Sequence, residues 1–326
     1  MKKLFSAILA IFIVCIFSVL AACGGASAIA FNNSFYGSPL ATISSGYTET
    51  CEYSASFKPA EKFSSNTIES ADFSDGKFIT TLTVLPEYPE NLPETDLYDR
   101  NAQVLSSVLY FKTSFSVKAS YVIAGETREF TDTVESEAYF LPSESSFAPL
   151  YSKSKSITGN PLSNESVSSE YSVLYKSSQY TISGDKERTV NYTPKTLVDN
   201  AQLLFVLRNF EISEMGTAFP VVAKAFNGHV SVSFTAKSSE KKTYNLTLNG
   251  ETGDYSFNVT YGYFNVNSNE TRGYEQSFAI QKQGGDGVYK SLLTSYTYPL
   301  TVIAGDFYPT YFGDLTFTLN TVSTSL

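Results

Sequence analysis

The chain has 326 residues, which is enough for one large domain or two ordinary ones. Because 42% of these residues are hydrophobic and 15% are aromatic, a large core is available, and the composition excludes an intrinsically disordered protein. The formal net charge of −9 makes the chain a poor partner for nucleic acid or for an anionic lipid surface, so we expect no nucleic-acid partner.

The N-terminal segment has the three parts of a secretory signal peptide. A positively charged start, Met1-Lys2-Lys3, precedes an apolar run over residues 4–20, and two small residues follow. The run closes in Leu20-Ala21-Ala22-Cys23, which resembles the lipobox of bacterial lipoproteins. The resemblance implies that the Cys23 thiol receives a diacylglyceryl group and becomes the mature N-terminus. The alternative is an ordinary signal peptide that is cleaved after a nearby alanine.

The lipobox divides the chain into three predicted parts. These are a lipoprotein signal peptide over residues 1–22, a lipidated cysteine with a flexible tether over residues 23–45, and a single β-rich domain over residues 46–326. Two domains in place of the last one are the alternative. We expect the protein in the cell envelope, extracytoplasmic and lipid-anchored, on the outer face of the plasma membrane or on the outer membrane. The membrane is its expected partner, because each buried methylene contributes about 0.8 kcal/mol.

From residue 47 onward, apolar and polar residues alternate with a period of two, which predicts strands with one buried face. In Leu109–Ile123 the odd-numbered residues are largely apolar, and lysines and serines occupy most even positions. Glycine-containing turns are predicted at residues 124–127 and 249–254. The acidic, proline-rich stretch 86–99 and the serine-rich stretch 152–169 lack the alternation and are predicted to be loops.

Residues 194–210 are the one good helix candidate. Thr193 can cap this helix, Pro194 suits its first turn, and apolar residues on both sides predict that it is buried nearly all round. In the hairpin around the predicted turn at residues 124–127, both strands are longer than the usual length of about 5–6 residues. We therefore predict a mainly β protein with one large curled antiparallel sheet, a half-barrel or incomplete barrel, and this one buried helix. The helix either lies within the concavity of the sheet or packs as an ordinary core helix under one sheet. The alternative is one or more β-sandwiches.

The helix candidate carries a second resemblance. Thr193–Asp199 followed by Leu203–Arg208 is similar to a helical segment of some uncharacterised bacterial β-rich envelope proteins. The overall plan also resembles the LolA/LolB-type lipoprotein carriers, which curl an antiparallel sheet around helices and hold acyl chains inside. This resemblance implies an interior that takes a lipid-like ligand, but it assigns no ligand-binding residue in this chain.

Residues suited to catalysis or metal binding are scarce. The single histidine, His229, alternates with serines on the polar face of a predicted strand, and we interpret it as an exposed strand residue. A serine triad needs a histidine base and a catalytic zinc needs several imidazole or thiolate ligands, so we expect no enzyme, no catalytic residue, no metal and no cofactor. The carboxylates of residues 86–99 are expected to be solvated and flexible, and their spacing is not that of an EF-hand. The loop Gly284–Gly287 lacks the Lys-Ser/Thr of a phosphate loop and predicts a hairpin turn.

Cys51 is the one cysteine that remains once Cys15 leaves with the signal peptide and Cys23 is lipidated, so no intramolecular disulfide is expected. It lies on the apolar face of a strand pattern over residues 47–57. A free cysteine in that position behaves as a small hydrophobic side chain, and we interpret it as buried and structural.

Two functions from different classes are compatible with these features. The first is a non-enzymatic envelope lipoprotein that binds an apolar or amphiphilic ligand, such as a lipid, within its curled sheet. The second is a surface adhesion or interaction module whose exposed tyrosine and serine side chains bind a glycan or a protein. A glycan hydrolase would need two facing buried carboxylates. A hollow interior favours the first function, and sealed sheets with a flat aromatic surface favour the second.

The lipobox makes a direct prediction about membrane attachment. An acyl-chain probe fed to cells should label the wild-type protein, and Cys23→Ala should lose both the label and the attachment, because the acylated thiol is then missing. Cys51→Ala removes the other mature cysteine and should keep both. A Cys23→Ala protein that stays equally membrane-bound would contradict the assignment.

Overall fold

The computed structural model describes residues 45–60, 67–102, 106–142, 147–192, 197–209, 216, 218–223, 228–267, 276–281, 292–302 and 310–325. The predictions made for the signal peptide over residues 1–22, for Cys23, for the tether up to residue 44 and for the loop Gly284–Gly287 concern residues outside these ranges. Within the ranges, no helix has the length and hydropathy that crossing a membrane requires.

Most of the described chain is β-strand. The strands of the first half are β1 (Thr48–Pro59), β2 (Ser70–Leu85), β3 (Val108–Ile123), β4 (Glu126–Pro142), β5 (Phe147–Asn160), β6 (Glu165–Lys176), β7 (Gln179–Ser183) and β8 (Arg188–Asn191). The chain then forms β9 (Val198–Asp199), a 3-10 turn (Asn200–Gln202) and helix α1 (Leu203–Asn209). The strands of the second half are β10 (Phe219–Ala223), β11 (Gly228–Leu248), β12 (Glu251–Asn267), β13 (Gln276–Gln281), β14 (Leu292–Val302) and β15 (Thr310–Ser325).

All of these strands belong to one curled sheet that is not closed into a barrel, as predicted. Its spatial order is β8-β7-β6-β5-β4-β3-β2-β1-β15-β14-β13-β12-β11-β10-β9. The pairs are antiparallel except for β9 with β10 and the contact of the β11 end with β15. The chain thus starts in the middle of the sheet, proceeds outward to β8, crosses to the opposite edge and returns inward to β15. A single continuous sheet does not fit the alternative of β-sandwiches.

The two halves of the sheet approach each other through side chains at what we call the seam, formed by β6–β8 on one side and β10–β11 on the other. Val222 of β10 lies in one buried cluster with Val173, Tyr175 and Ile182 of β6 and β7. The Tyr180 hydroxyl lies 3.0 Å from His229 Nδ1. Among the described residues, no backbone ladder joins β8 to β9 across this seam.

The stretch from Leu197 to Asn209, the crossing segment, lies inside the curl. The side chains of residues 197–208 are all buried, and the 3-10 turn contacts β3, β4 and β5. Phe205 of α1 packs its ring against Phe111, Phe140 and Phe147, with centroids 5.7, 5.0 and 5.2 Å away. The concave face is therefore filled over the middle of the first half-sheet.

The predicted helix is present but shorter than residues 194–210. Residues 198–199 pair with β10 as a strand, and α1 begins only at Leu203. Residues 193–196 lie outside the described ranges, so the proposed Thr193 cap is not among the described residues. The Asp199 carboxylate instead caps the 3-10 turn by accepting from the Ala201 amide at 2.7 Å. The strand pairing and this cap fix where the helical backbone starts.

The predicted loop over residues 152–169 was wrong. These residues form most of β5 and the start of β6, joined by a short turn at residues 161–164. Serine residues stand at positions where apolar residues would have indicated a strand. One of them, Ser154, has its hydroxyl 2.9 Å from that of Ser136 on β4.

The proline-rich stretch is a loop, as predicted, but many contacts fix it to the outside of the sheet. Tyr88 and Tyr98 are buried, and Arg100 donates to the carbonyl oxygens of Tyr88 and Pro89 at 2.8 and 2.9 Å. The Asp96 carboxylate accepts from Ser177, which lowers the pKa of Asp96. The carboxylates of this loop are exposed, as expected: Glu87, Glu90, Glu94, Asp96 and Asp99.

Candidate functional site

The inner face of the sheet beside the crossing segment is largely aromatic. Phe317 of β15 lies at its centre, with ring centroids of Phe78 and Phe115 at 5.2 and 5.6 Å. Tyr296 of β14 stacks on the other side of Phe317 at 6.3 Å. These four residues are each at most 2% exposed, so their rings pack on one another as part of the hydrophobic core.

A row of small polar side chains crosses this face at right angles to the strands. Its members are direct register neighbours on β1 to β5, all buried, and we call them the polar row: Cys51, Thr80, Thr113, Ser136 and Ser154. The 3-10 turn of the crossing segment lies against the last three of these strands. Because the side chains of the row are small, the turn can approach the sheet closely, and hydroxyl groups are available to its polar atoms.

One buried ion pair fastens the end of α1 to the sheet. Arg208 Nη1 lies 2.8 Å from Glu49 Oε1 of β1, and the side chains are 3% and 7% exposed. Burial lowers the pKa of Arg208, but the Glu49 carboxylate more than offsets this, so the guanidinium stays charged.

Cys51 is buried and structural, as predicted. Its side chain is fully enclosed, and its Sγ lies 3.7 Å from Glu49 Oε1. Burial, and after it the charge of Glu49, raises the pKa of the Cys51 thiol well above its usual value. The thiolate that a nucleophile or metal ligand needs is therefore strongly disfavoured.

A second buried carboxylate ties the crossing segment to β5 and β6. Asp199 Oδ2 accepts from the Ser152 hydroxyl at 2.7 Å and from the Tyr175 hydroxyl, while Oδ1 accepts from the Ala201 amide. Burial raises the pKa of Asp199, and these hydrogen bonds oppose the rise. Because both of its carboxylate oxygens accept hydrogen bonds, Asp199 holds the crossing segment in place and has a structural role.

A third buried carboxylate, Asp132 of β4, is less completely bonded. It is 0% exposed, and its Oδ1 accepts from the Gly159 amide at 2.7 Å. Its Oδ2 has no hydrogen-bond partner in the part of the chain that the structure describes. Burial raises the pKa of Asp132 to about 6, and the Gly159 amide only partly opposes this.

Asp132 is one of several interior polar groups with spare hydrogen-bonding capacity. Within the described ranges, the buried atoms without a partner include Thr113 Oγ1, Tyr121 Oη, Asp132 Oδ2 and Gln202 Oε1. Buried polar atoms are usually satisfied, so each unpaired one requires an explanation such as water or a ligand. The inner face thus combines aromatic surface with unused polar groups.

Of the residues singled out from the sequence, Cys51 lies on this inner face, whereas His229 and the carboxylates of residues 86–99 lie apart from it. His229 is exposed on β11, as predicted, although its ring contacts Tyr180 and Tyr192 at the seam. Among the described residues, no group of three or more His, Cys, Asp or Glu side chains is placed to hold a metal. Sequence analysis missed all three buried carboxylates. The signal for two of them was present, since Glu49 and Asp132 interrupt apolar alternation on their strands.

Comparisons with known proteins give limited likenesses. No protein-family model matches the chain, and no curated protein matches it. A β-barrel-like protein of a domain of unknown function, DUF1849, from Brucella abortus is similar in structure, with a TM-score of 0.43 and 9% identity over 86% of this chain and 98% of that one. Kievitone hydratase from Nectria haematococca gives a TM-score of 0.17 and 10% identity over 85% and 90%. Neither likeness identifies a family for the chain.

The buried ion pair predicts an asymmetric response to mutation. Arg208→Met should lower the free energy of unfolding by about 3–5 kcal/mol, because it leaves the Glu49 charge buried and alone. The double variant Arg208→Met/Glu49→Met should recover most of this loss. Urea denaturation measures both. Lys118→Met breaks the exposed Lys118–Asp75 pair and is the matched control, with little expected effect. An Arg208→Met cost no larger than that of the control would contradict the prediction.

The raised pKa of Asp132 predicts a pH dependence of stability. The folded protein holds this proton more tightly than the unfolded chain, so the contribution is favourable at low pH and is lost as pH rises from about 4 to about 6. The two pKa values of 3.8 and about 6 differ by about 2 units, which corresponds to about 3 kcal/mol. Asp132→Asn should remove this decline, and urea denaturation from pH 4 to pH 7 measures it. A difference between variant and wild type that does not change with pH would contradict the assignment.

Proposed function

We propose that the protein is a non-enzymatic, membrane-anchored extracytoplasmic lipoprotein that binds an amphiphilic, lipid-like ligand inside its curled sheet. The observation that carries the proposal is the composition of the inner face. The half-buried rings of Phe57 and Phe130, at the edge of the aromatic interior, provide surface for a hydrocarbon tail. Buried polar atoms without a partner among the described residues provide hydrogen bonds for a head group. An apolar core that served stability alone would gain nothing from these polar groups.

The crossing segment determines where such a ligand would bind. It fills the concave face over β3, β4 and β5 and is fastened at both ends, by Asp199 and by Arg208. The ligand therefore binds beside this segment and not in its place. The half of the β3–β4 ladder on the side of the Ala124-Gly125 turn offers the unpaired Tyr121 and Asp132 atoms.

The described chain begins at the end of the sheet away from the Ala124-Gly125 turn. The Gly46 amide donates to the Val84 carbonyl, and the Val84 amide donates to the Tyr47 carbonyl, so the chain enters the sheet beside the end of β2. Because β3 and β4 are antiparallel to their neighbours, the Ala124-Gly125 turn lies at the opposite end. A flexible tether attaches the protein to the membrane without fixing which end of the sheet faces it.

The adhesion function is the second candidate, and the β11–β12 hairpin supports it. Residues 236–243 of β11 are all exposed, which is unusual for a strand. Lys237 Nζ lies 4.7 Å from the Tyr263 ring centre, and Lys242 Nζ lies 5.8 Å from that of Tyr261. Aromatic rings flanked by lysines suit stacking on a sugar of an acidic glycan.

Native mass spectrometry of the gently purified chain from residue 23 onward tests the leading proposal. We expect a population that carries an additional mass of one lipid-like molecule and loses it on denaturation. Ala236→Asp, on the exposed run of β11, should leave this population unchanged, because it lies outside the interior. A chain that is consistently empty, and that also fails to bind added lipids, would overturn the proposal and favour the adhesion function.

A further inference from the structure

Two unpaired polar atoms lie on the buried face of the neighbouring strands β3 and β4. Asp132 of β4 and Tyr121 of β3 are both 0% exposed, and neither Asp132 Oδ2 nor Tyr121 Oη has a hydrogen-bond partner among the described residues. In the β3–β4 register Asp132 lies opposite Val117, which is four residues from Tyr121 on the same face of β3. The charge of Asp132 adds to burial in raising the pKa of Tyr121. One is an acceptor, and the other can both donate and accept.

Aromatic side chains surround this pair. The Tyr121 ring has neighbours in Phe73, Phe130 and Phe312, with centroids 5.9, 6.2 and 6.3 Å away. Phe57 lies 4.9 Å from Phe73 and is only half-buried, as is Phe130. The aromatic group therefore extends from the buried polar pair to the protein surface.

Gly159 is required for this arrangement. Its amide holds Asp132 Oδ1, and a Cβ at this position would lie 2.0 Å from Phe130 Cγ. Only glycine, which has no side chain, lets the β5 backbone approach the Asp132 carboxylate and the Phe130 ring at the same time. The position of Asp132 and that of Phe130 are thus set by the same close contact.

The nearest cationic side chain on β4 is engaged elsewhere. Arg128 donates to the carbonyl oxygens of Pro161 and Leu162 at 2.5 and 3.1 Å, and it lies 3.9 Å from the Glu126 carboxylate. Arg128 therefore does not form an ion pair that would compensate the buried charge of Asp132. Asp132 Oδ2 keeps its capacity to accept a hydrogen bond from another molecule.

We infer that Asp132 and Tyr121 form the head-group subsite for the amphiphile, with the tail lying among Phe57, Phe73, Phe130 and Phe312. This inference rests on the proposed function. A carboxylate oxygen without a partner accepts a donor, so the head carries an N–H or an O–H group, as in an alkylammonium or a glyceride. A fatty-acid carboxylate has no donor at neutral pH and is repelled by Asp132.

Isothermal titration calorimetry at pH 7.5 with three probes tests the subsite and separates the two donor types. The probes share a twelve-carbon chain and differ in the head group: dodecylamine, monolauroylglycerol and laurate. We expect the chain from residue 23 onward to bind the first two more tightly than laurate. Tighter binding of dodecylamine assigns an ammonium head, and tighter binding of monolauroylglycerol assigns a hydroxyl head.

Asp132→Asn should weaken binding of the preferred probe at least about tenfold, since it removes a charged hydrogen-bond acceptor. Tyr121→Phe removes only the phenol oxygen and should weaken the same probe several-fold, which keeps the test valid if Asp132→Asn perturbs the fold. Asp72→Asn changes an exposed aspartate of β2 and is the matched control, with unchanged binding.

The outcomes separate the two levels of the proposal. If wild type binds none of the probes and no other lipid, the proposed function itself fails. If wild type binds a probe but both variants bind it equally well, ligand binding stands and the subsite is wrong. Preference for laurate over both donor-bearing probes would also overturn the subsite.

Discussion

The buried ion pair between Arg208 and Glu49 is the contact on which the architecture depends most. The two half-sheets are consecutive in the chain, but they are joined by a segment that must cross the concave face. A crossing segment held only by apolar contacts can slide along a smooth aromatic wall. A guanidinium that has one buried carboxylate within reach cannot slide without leaving both charges desolvated and alone. The pair therefore fixes the position of α1 relative to β1, the strand of the first half that lies at the centre of the sheet.

The polar row and Asp199 complete this arrangement. The row provides a strip of small side chains on which the 3-10 turn lies, and Asp199 holds the other end of the segment against β5 and β6. The segment is thus held by polar contacts at both of its ends, through Asp199 and Arg208, within an otherwise apolar interior. Buried polar contacts contribute little net free energy to stability compared with apolar packing. They are directional, however, and therefore fix the position of the helix along the sheet.

The sequence predicted those features that depend on local pattern. Alternation in Leu109–Ile123 identified β3 almost to the residue, and the positive φ angles of Ala124-Gly125 and Asn249-Gly250 occur in the predicted hairpin turns. It failed for most of β5 and for the start of β6, because the serines of residues 152–169 leave no apolar alternation there. It also failed for the interior carboxylates, since their partners lie far away in the chain. A periodic pattern shows which face is buried, but it does not show which distant residue lies opposite.

The pairing of β1 with β15 in the middle of the sheet has a kinetic consequence. Thr48 lies opposite Ser325, so the central ladder joins positions near the two limits of the described chain. The loop that this pairing closes is far longer than any hairpin, and folding rates fall as such non-local contacts come to dominate. Until β15 arrives, β1 is an unprotected edge with Cys51 and Tyr53 on its apolar face, open to pairing with other chains. We therefore expect β1, although it lies at the centre of the sheet, to be one of the last strands to gain both of its neighbours during folding.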